Sequence, residues 1–468
     1  MDIVKNRGEL VENGRSPGTG LLLDLYNIAI KRVQPEHLIK DNITFEKGRI
    51  LKLGYNGKPL GLDFSMYEHK FEIAIGKAAL PMAEALVGIV GKDRFAGRVA
   101  LVPKGSAPNG SNSVEVLEGT HPVFSEDSLK ATERILELLK RVGPDDLVVL
   151  LVSGGASALF EKQADGIGLD EHINFYKELL MCGADIDQVN AIRKRTSLVK
   201  GGKLLHFMNG ATVVALYLSD VPSDQIDMIA SGPTAPDSTN GKDALKYVRD
   251  LGLSKRIAKN ELEMIKSSAK AHCLDTPRWN SPLFEGVTNI IVGSNRLACE
   301  AVAASVRASG GTCYNIGSSY QGSAEDIAKN LAAFLKQIAT TGLSGFEGSD
   351  MTIVCGFEGS VKVKGNRPGG RIQHMGAVMA KALNGVSGVT VLLGTTDGKD
   401  GTTDVAAVLI DEEVIKRMNM KRIDPADYIK RTDTHAMFNK IPGSQVFTGP
   451  TSTNVSDLMI ARIVRRQA

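Results

Sequence analysis

The sequence predicts an α/β protein built on largely parallel sheets covered on both faces. Three observations lead there. Continuous apolar runs of strand length recur along the chain, Asp146 to Val152 being the longest-buried in character. Segments of helical apolar spacing alternate with them, the order that puts parallel strands under covering helices. Glycine, 49 of 468 residues, gathers in short loops directly after these runs, at the carboxyl strand ends where such sheets bind ligands. A chain of 468 residues exceeds one ordinary core, so two domains are expected.

Taken in order, Gly18 to Lys40 has helical spacing through Leu21, Leu22, Leu25, Ile28 and Ile30. Phe45 to Pro59 reads as a short polar hairpin. Phe71 to Ile75 is a strand with Gly76-Lys77 at its end, and Ala78 to Val90 a helix. Strand Asp146 to Val152 leads into Ser153-Gly154-Gly155-Ala156-Ser157, and strand Ala211 to Tyr217 into Leu218-Ser219-Asp220-Val221-Pro222. Thr276 to Pro282, with two prolines and no periodicity, reads as the linker. Beyond it the pattern restarts. Thr288 to Val292 is a strand, Gly293-Ser294-Asn295 a turn, Arg296 to Ser309 a helix, Cys313 to Ile316 a strand and Ala324 to Leu335 a helix. Met351 to Cys355 opens a strand-rich part, in which Ser360 to Lys364 alternates as a half-exposed strand would. This suggests a mixed second sheet. Val389 to Leu393 is another strand, followed by the acidic loop Thr395 to Asp404, and Phe447 to Asn454 leads into an expected apolar helix.

Composition excludes several classes. With 43% hydrophobic and 23% charged residues the chain is globular. A net charge of +3 with no basic stripe argues against nucleic acid. No apolar run reaches the length of a membrane span, and the first residues carry no signal-like apolar core. Cys182, Cys273, Cys299, Cys313 and Cys355 lack C-x-x-C spacing and read as reduced thiols of a cytoplasmic protein. The familiar phosphate and zincin signatures are missing: no G-x-x-x-x-G-K-[ST], no G-x-G-x-x-G after a strand, no H-E-x-x-H.

The loops nevertheless carry chemistry. The three carboxylates Asp397, Asp400 and Asp404 suit either a solvated turn or a hard cation held by oxygen. Ser153-Gly154-Gly155 offers free backbone N–H groups at an expected helix start, favourable to an anion. Lys77 at a strand end could neutralise a phosphoryl group. Arg193-Lys194-Arg195 with Lys200-Gly201-Gly202 is a further basic element, more commonly a solvated helix face. Arg371 after Gly369-Gly370 suits bidentate carboxylate or phosphate binding. Together these fit metal-assisted phosphoryl transfer.

Read in order, the motifs resemble the glycerate kinases that act at the 2-hydroxyl and end in a MOFRL domain. The matching stretches are Ala74-Ile75-Gly76-Lys77-Ala78, His121-Pro122-Val123, Ser153 to Leu159, Asn190 to Lys194, Lys200-Gly201-Gly202, Leu218 to Val221, Ser231 to Thr234, Thr396-Asp397-Gly398 and Thr448 to Asn454. The resemblance implies a Rossmann-like domain over residues 1–280, a second domain over 285–468 with the MOFRL region at about 350–460, and an active site in the cleft between them. It implies ATP- and Mg²⁺-dependent phosphorylation of D-glycerate to 2-phosphoglycerate by an enzyme with no membrane or nucleic-acid partner, and leaves homo-oligomerisation open. Lys77, Asp220 and Arg371 would be catalytic, with Asp220 as base or orienter for the hydroxyl. Ser153, Gly154, Gly155, Ser157, Arg193 and Asn454 would bind substrate or phosphate, and Asp397 with Glu358 would hold Mg²⁺. The chain departs from the family pattern at Ala156, at Ile372 and His374 where G-G-R-N-Q-E is usual, and around Phe357-Glu358-Gly359-Ser360 where S-G-G-E-T-T is usual. Hydroxypyruvate reductase, a label attached to relatives, and a non-catalytic sugar-acid-binding regulator are the rival readings.

Overall fold

The computed structural model describes residues 2–12, 18–55, 58–107 and 114–465. It divides into two compact units. One comprises residues 38–292, the other residues 2–37 together with 293–465. The division differs from the expected one at both ends, because the first helical segment groups with the second half and the break falls at Val292/Gly293. The 276–282 stretch belongs to the 38–292 unit and is anchored to it at its start. Buried Thr276 donates to Asp237 at 2.9 Å, and Arg278 pairs with Asp275 at 3.0 Å.

The 38–292 unit opens with three antiparallel strands, β1 (Ile43–Glu46), β2 (Ile50–Tyr55) and β3 (Lys58–Asp63). The turn between β2 and β3 lies outside the described residues. Its main sheet contains β4 (Lys70–Ile75), β5 (Gly97–Pro103), β6 (Glu115–Gly119), β7 (Leu147–Val152), β8 (Thr212–Leu218) and β9 (Val287–Gly293), ordered β6-β5-β4-β7-β8-β9. The pairings from β6 to β8 are parallel. β7 is central and buried throughout, which is why its sequence is unbroken Val and Leu rather than alternating. Helix Glu126–Leu139 covers one face with Ala131, Ile135 and Leu139 against Ile73, Val99 and Leu150.

The other unit has a mixed sheet of β10 (Cys313–Asn315), β11 (Tyr320–Ser323), β12 (Asp350–Ser360), β13 (Val389–Thr395), β14 (Ala407–Ile410), β15 (Gln445–Val446) and β16 (Asp457–Val464). The order is β10-β12-β16-β13-β14-β15, with β11 extending β12's edge. The apolar run after Asn454 is therefore a strand and not the expected helix. β16 lies antiparallel between β12 and β13, and burial on both faces explains its continuous apolar sequence. The strand expected through Lys364 stops at Ser360, where pairing with β11 ends. The helix expected over Gly18–Lys40 is broken into Gly18–Arg32 and Pro35–Asn42, with Pro35 at the first position of the second, where its missing N–H costs nothing. Helix Gly18–Arg32 is fastened to the mixed sheet: buried Tyr26 donates its hydroxyl to Thr395 O at 2.5 Å, and a Cβ on Gly394 would lie 2.6 Å from the tyrosine ring. That contact is why the chain's first segment belongs with its second half.

Candidate active site

In the 38–292 unit, Ile75 and Val152 are register partners, so the loops leaving β4 and β7 emerge side by side. Lys77 N–H donates to Gly154 O at 2.9 Å, and Ala78 N–H to Ser153 Oγ at 3.0 Å. β8, next to β7, ends at Leu218 and delivers Asp220 to the same end. A Cβ on Gly154 would sit 2.2 Å from Asp220 Oδ2, so only glycine lets this carboxylate lie against the loop. Gly155 has φ 86°, a left-handed conformation that glycine adopts freely, and a Cβ there would lie 3.2 Å from Lys77 Cγ and 3.4 Å from His121 Cδ2. Lys77 is exposed, Asp220 half-buried. Burial pushes the Asp220 carboxyl above its ordinary range, with the Lys77 ammonium opposing. Burial and the same ammonium push His121 down to about 4, so its imidazole is neutral at pH 7.

The helix after Gly155 is a single turn, Ala156–Leu159. The macrodipole expected there is correspondingly small, and since Ser153 N–H donates to Ile75 O at 2.9 Å, the N–H groups of Gly154 and Gly155 are the loop's candidate anion donors. Ser157 and Arg193 are brought together: Arg193 Nη2 donates to Ser157 Oγ at 3.0 Å and Nε to Asn190 Oδ1 at 2.8 Å. The rest of the basic element is not a solvated face. Lys194 is buried on Asp237 at 2.9 Å, Arg195 on Asp237 at 2.8 Å and Asp275 at 3.0 Å, and Lys200 on Glu161 at 2.6 Å. These cations are consumed by structural ion pairs, each of which would leave an uncompensated buried charge if one partner were removed.

In the other unit, Asp457 opposes Phe357 of β12 on one side and Thr395 of β13 on the other. Glu358, Asp457 and the Asp397 loop thus leave three neighbouring strands at one sheet end. Fully buried Asp457 accepts the fork of Arg371, Nη2 to Oδ1 at 3.0 Å and Nε to Oδ2 in a shorter contact. Burial pushes Asp457 up to about 7 against the pull of Arg371, with Asp400 and Asp397 adding to the rise. Burial alone would lower Arg371, but Asp457, Glu358 and Asp400 outweigh it and hold the guanidinium above its ordinary value. The sequence reading missed Asp457. Its signal was an acid opening the apolar run Leu458-Met459-Ile460, where a buried strand tolerates charge only with a partner.

The acidic loop divides by role. Buried Asp400 accepts Ile372 N–H at 3.0 Å, Gln373 N–H at 2.9 Å and the Gln373 side-chain amide at 2.9 Å, which caps helix Arg371–Ala382. Asp404 is exposed. Half-buried Asp397 takes one backbone bond on its carboxylate, from Lys399 N–H at 3.1 Å, and Glu358 is exposed. The Asn454 loop is laced to the Asp397 loop, Thr451 Oγ1 donating to Thr396 O at 2.5 Å, while Asn454 Oδ1 accepts Ser456 N–H at 3.1 Å. Among the described residues no group of three or more His, Cys, Asp or Glu side chains forms a metal cage. The oxygen donors of Asp397 and Glu358 fit Mg²⁺ arriving with a phosphate ligand, which takes only one or two carboxylates and completes its shell with water and phosphate.

A family described as a domain of unknown function, DUF4147, matches residues 21–266, and the MOFRL family matches residues 351–457. A D-glycerate 2-kinase of Thermotoga maritima is 35% identical over 84% of this chain and 90% of its own length. An Agrobacterium vitis protein provisionally named a hydroxypyruvate reductase is 34% identical over 82% of this chain and 97% of its own. The crystal structure of a glycerate kinase from Thermotoga maritima superposes with a TM-score of 0.80 at 31% identity, covering 95% of this chain and 99% of that one. With both domains matched in order and a kinase relative this similar over most of the chain, the protein belongs to the glycerate 2-kinase family.

Proposed function

We propose that this kinase transfers the γ-phosphoryl group of ATP to the 2-hydroxyl of D-glycerate, giving 2-phosphoglycerate and ADP. The observation that carries the reading is the juxtaposition of the Lys77 ammonium and the Asp220 carboxyl against the Ser153-Gly154-Gly155 backbone, at adjoining carboxyl ends of parallel strands. Asp220, its carboxyl raised by burial, accepts the proton of the attacking hydroxyl. Lys77 and the loop N–H groups face the charge of the transferring phosphoryl and the glycerate carboxylate, and Arg193 holds Ser157 in place. In the other unit, Asp457 orients Arg371 as a fixed guanidinium suited to an anionic ligand. Mg²⁺, held by Asp397 and Glu358 when bound, supplies screening of the nucleotide's phosphates. Little covalent chemistry is asked of the protein, since phosphoryl transfer rests on positioning and charge stabilisation.

The reductase name on one relative motivates the second reading. A hydride transferase of this sheet type binds its dinucleotide through a G-x-G-x-x-G turn. The turns after β4, β7 and β8 read Gly76-Lys77, Ser153-Gly154-Gly155 and Ser219-Asp220, none with that pattern. The same reading keeps the enzyme in the cytoplasm, supported by five free cysteines. The test runs two assays on one preparation: ADP release from ATP with D-glycerate and Mg²⁺, and NADH or NADPH oxidation with hydroxypyruvate. ADP release that requires glycerate is expected. Nucleotide oxidation without ADP release would replace the kinase by the reductase.

A further inference from the structure

A cavity of about 800 Å³ lies wholly within the unit that holds the mixed sheet. It runs along one face of helix Arg371–Ala382, past His374, Val378, Lys381 and Ala382. His374 and Ala382 are eight residues apart (382 − 374), so this helical wall is about 12 Å long. None of Arg371, Glu358, Asp397, Asn454 or Asp457 lines it.

Its charge is one-sided. Lys329, Lys362, Lys364, Lys381 and Lys430 line it, against the single carboxylate of Glu325. Glu325 is already paired with Lys329 at 2.8 Å, and Lys364 Nζ donates to Lys430 O at 2.9 Å. The amines of Lys362, Lys381 and Lys430 make no hydrogen bond or ion pair among the described residues, and all three lysines are exposed. His374, 5% exposed, lines the same cavity with an Nδ1 that is buried and has no hydrogen-bond partner. A buried polar atom without a partner is costly, and a ligand that supplies one relieves the cost. Val361, Val378 and Ile429 give the cavity an apolar wall. Concave, partly apolar and lined by convergent polar groups is the form of a small-molecule site.

We propose that this cavity binds an organic polyphosphate, its phosphates on the lysines, with His374 Nδ1 meeting a polar atom of the ligand and an apolar body lying on Val378 and Ile429. Two sources share this chemistry, a second nucleotide bound apart from the one being consumed and another phosphorylated effector of the reaction.

The test is calorimetric titration of the full chain with inorganic tripolyphosphate, for the wild type, Lys381→Gln/Lys430→Gln, Lys362→Glu and Arg371→Ala, each checked for folding by its melting transition. The proposal expects binding by the wild type. It expects the two lysine variants to bind roughly tenfold or more weakly, the scale of losing charge-assisted contacts, while Arg371→Ala changes affinity less than either. Wild-type-like binding in both lysine variants, no binding by the wild type at millimolar tripolyphosphate, or loss in Arg371→Ala alone would each overturn it. Steady-state kinetics separate the sources. A rate that changes with ATP beyond donor saturation in the wild type and not in Lys381→Gln/Lys430→Gln assigns the cavity to a second nucleotide; no such ATP effect, with a wild-type rate that responds to tripolyphosphate and a variant rate that does not, assigns it to another effector.

Discussion

The strand-end loops of the two sheets use the same vocabulary, glycine beside a charged residue, to opposite ends. On the parallel sheet the glycines make room for charges to lie against the loop: Asp220 lies where the Cβ of Gly154 would be, and exposed Lys77 passes Gly155. On the mixed sheet most of the charge is already committed. Asp400 caps a helix and Asp457 holds Arg371. Asp397 is half-buried, and Glu358 and Asp404 are exposed. The difference teaches that an acidic loop is not read by counting carboxylates, but by asking which of them the backbone has already used.

The largest expected effects fall on the cations. Lys77→Ala should lower kcat by roughly 10²–10³, the scale for removing one charge-stabilising group, with stability unchanged because Lys77 is exposed. Arg371→Ala should lower kcat similarly and also destabilise by about 3 kcal/mol, since it strands a buried carboxylate. Equal melting temperatures for the two variants would break the comparison. Next is Gly154→Ala, whose methyl would drive Asp220 aside; a loss of roughly 10² in kcat is expected for a displacement of that size. A wild-type rate would remove Asp220 as the base.

Smaller effects should separate the aspartates of the acidic loop. Asp397→Asn should raise the Mg²⁺ concentration for half-maximal rate by roughly tenfold while melting normally. Asp400→Ala should leave the Mg²⁺ requirement alone and lower stability by about 1–2 kcal/mol through loss of the cap. The smallest concerns pH. The folded Asp457 carboxyl, at about 7, lies above its unfolded value of about 3.9, so the folded state keeps that proton longer. Its contribution to stability is therefore full below about 4 and declines as pH rises towards 7. Thermal melts of Asp457→Asn across this window should show a flatter decline than the wild type.

Much of the fold was legible because buried parallel strands advertise themselves. β4, β7, β8 and β9 lie where strand-length, largely apolar runs predicted them. The same signal misled at Leu458 to Ile463, where apolar length alone does not distinguish a central antiparallel strand from a helix; only pairing with β12 and β13 decides. Ser360 to Lys364 shows the converse. Its alternation is real, but no strand is available beyond Ser323 to pair with it, so Val361, Lys362 and Lys364 line a cavity instead. The strand-end placement of Lys77, Asp220 and the Ser153 loop was readable from the apolar runs that precede them. Asp457 was not, because its importance comes from Arg371, 86 residues away. Nor was the fate of Lys194, Arg195 and Lys200, whose acidic partners Asp237, Asp275 and Glu161 are distant in sequence.

The most direct measurement is phosphorus NMR of the product formed from D-glycerate, ATP and Mg²⁺. The account predicts a 2-phosphoglycerate resonance, coupled to the single proton on C2, appearing with ADP. A 3-phosphoglycerate signal, coupled to two protons, would contradict the placing of Asp220 at the 2-hydroxyl, and no phosphorylated product at all would contradict the kinase.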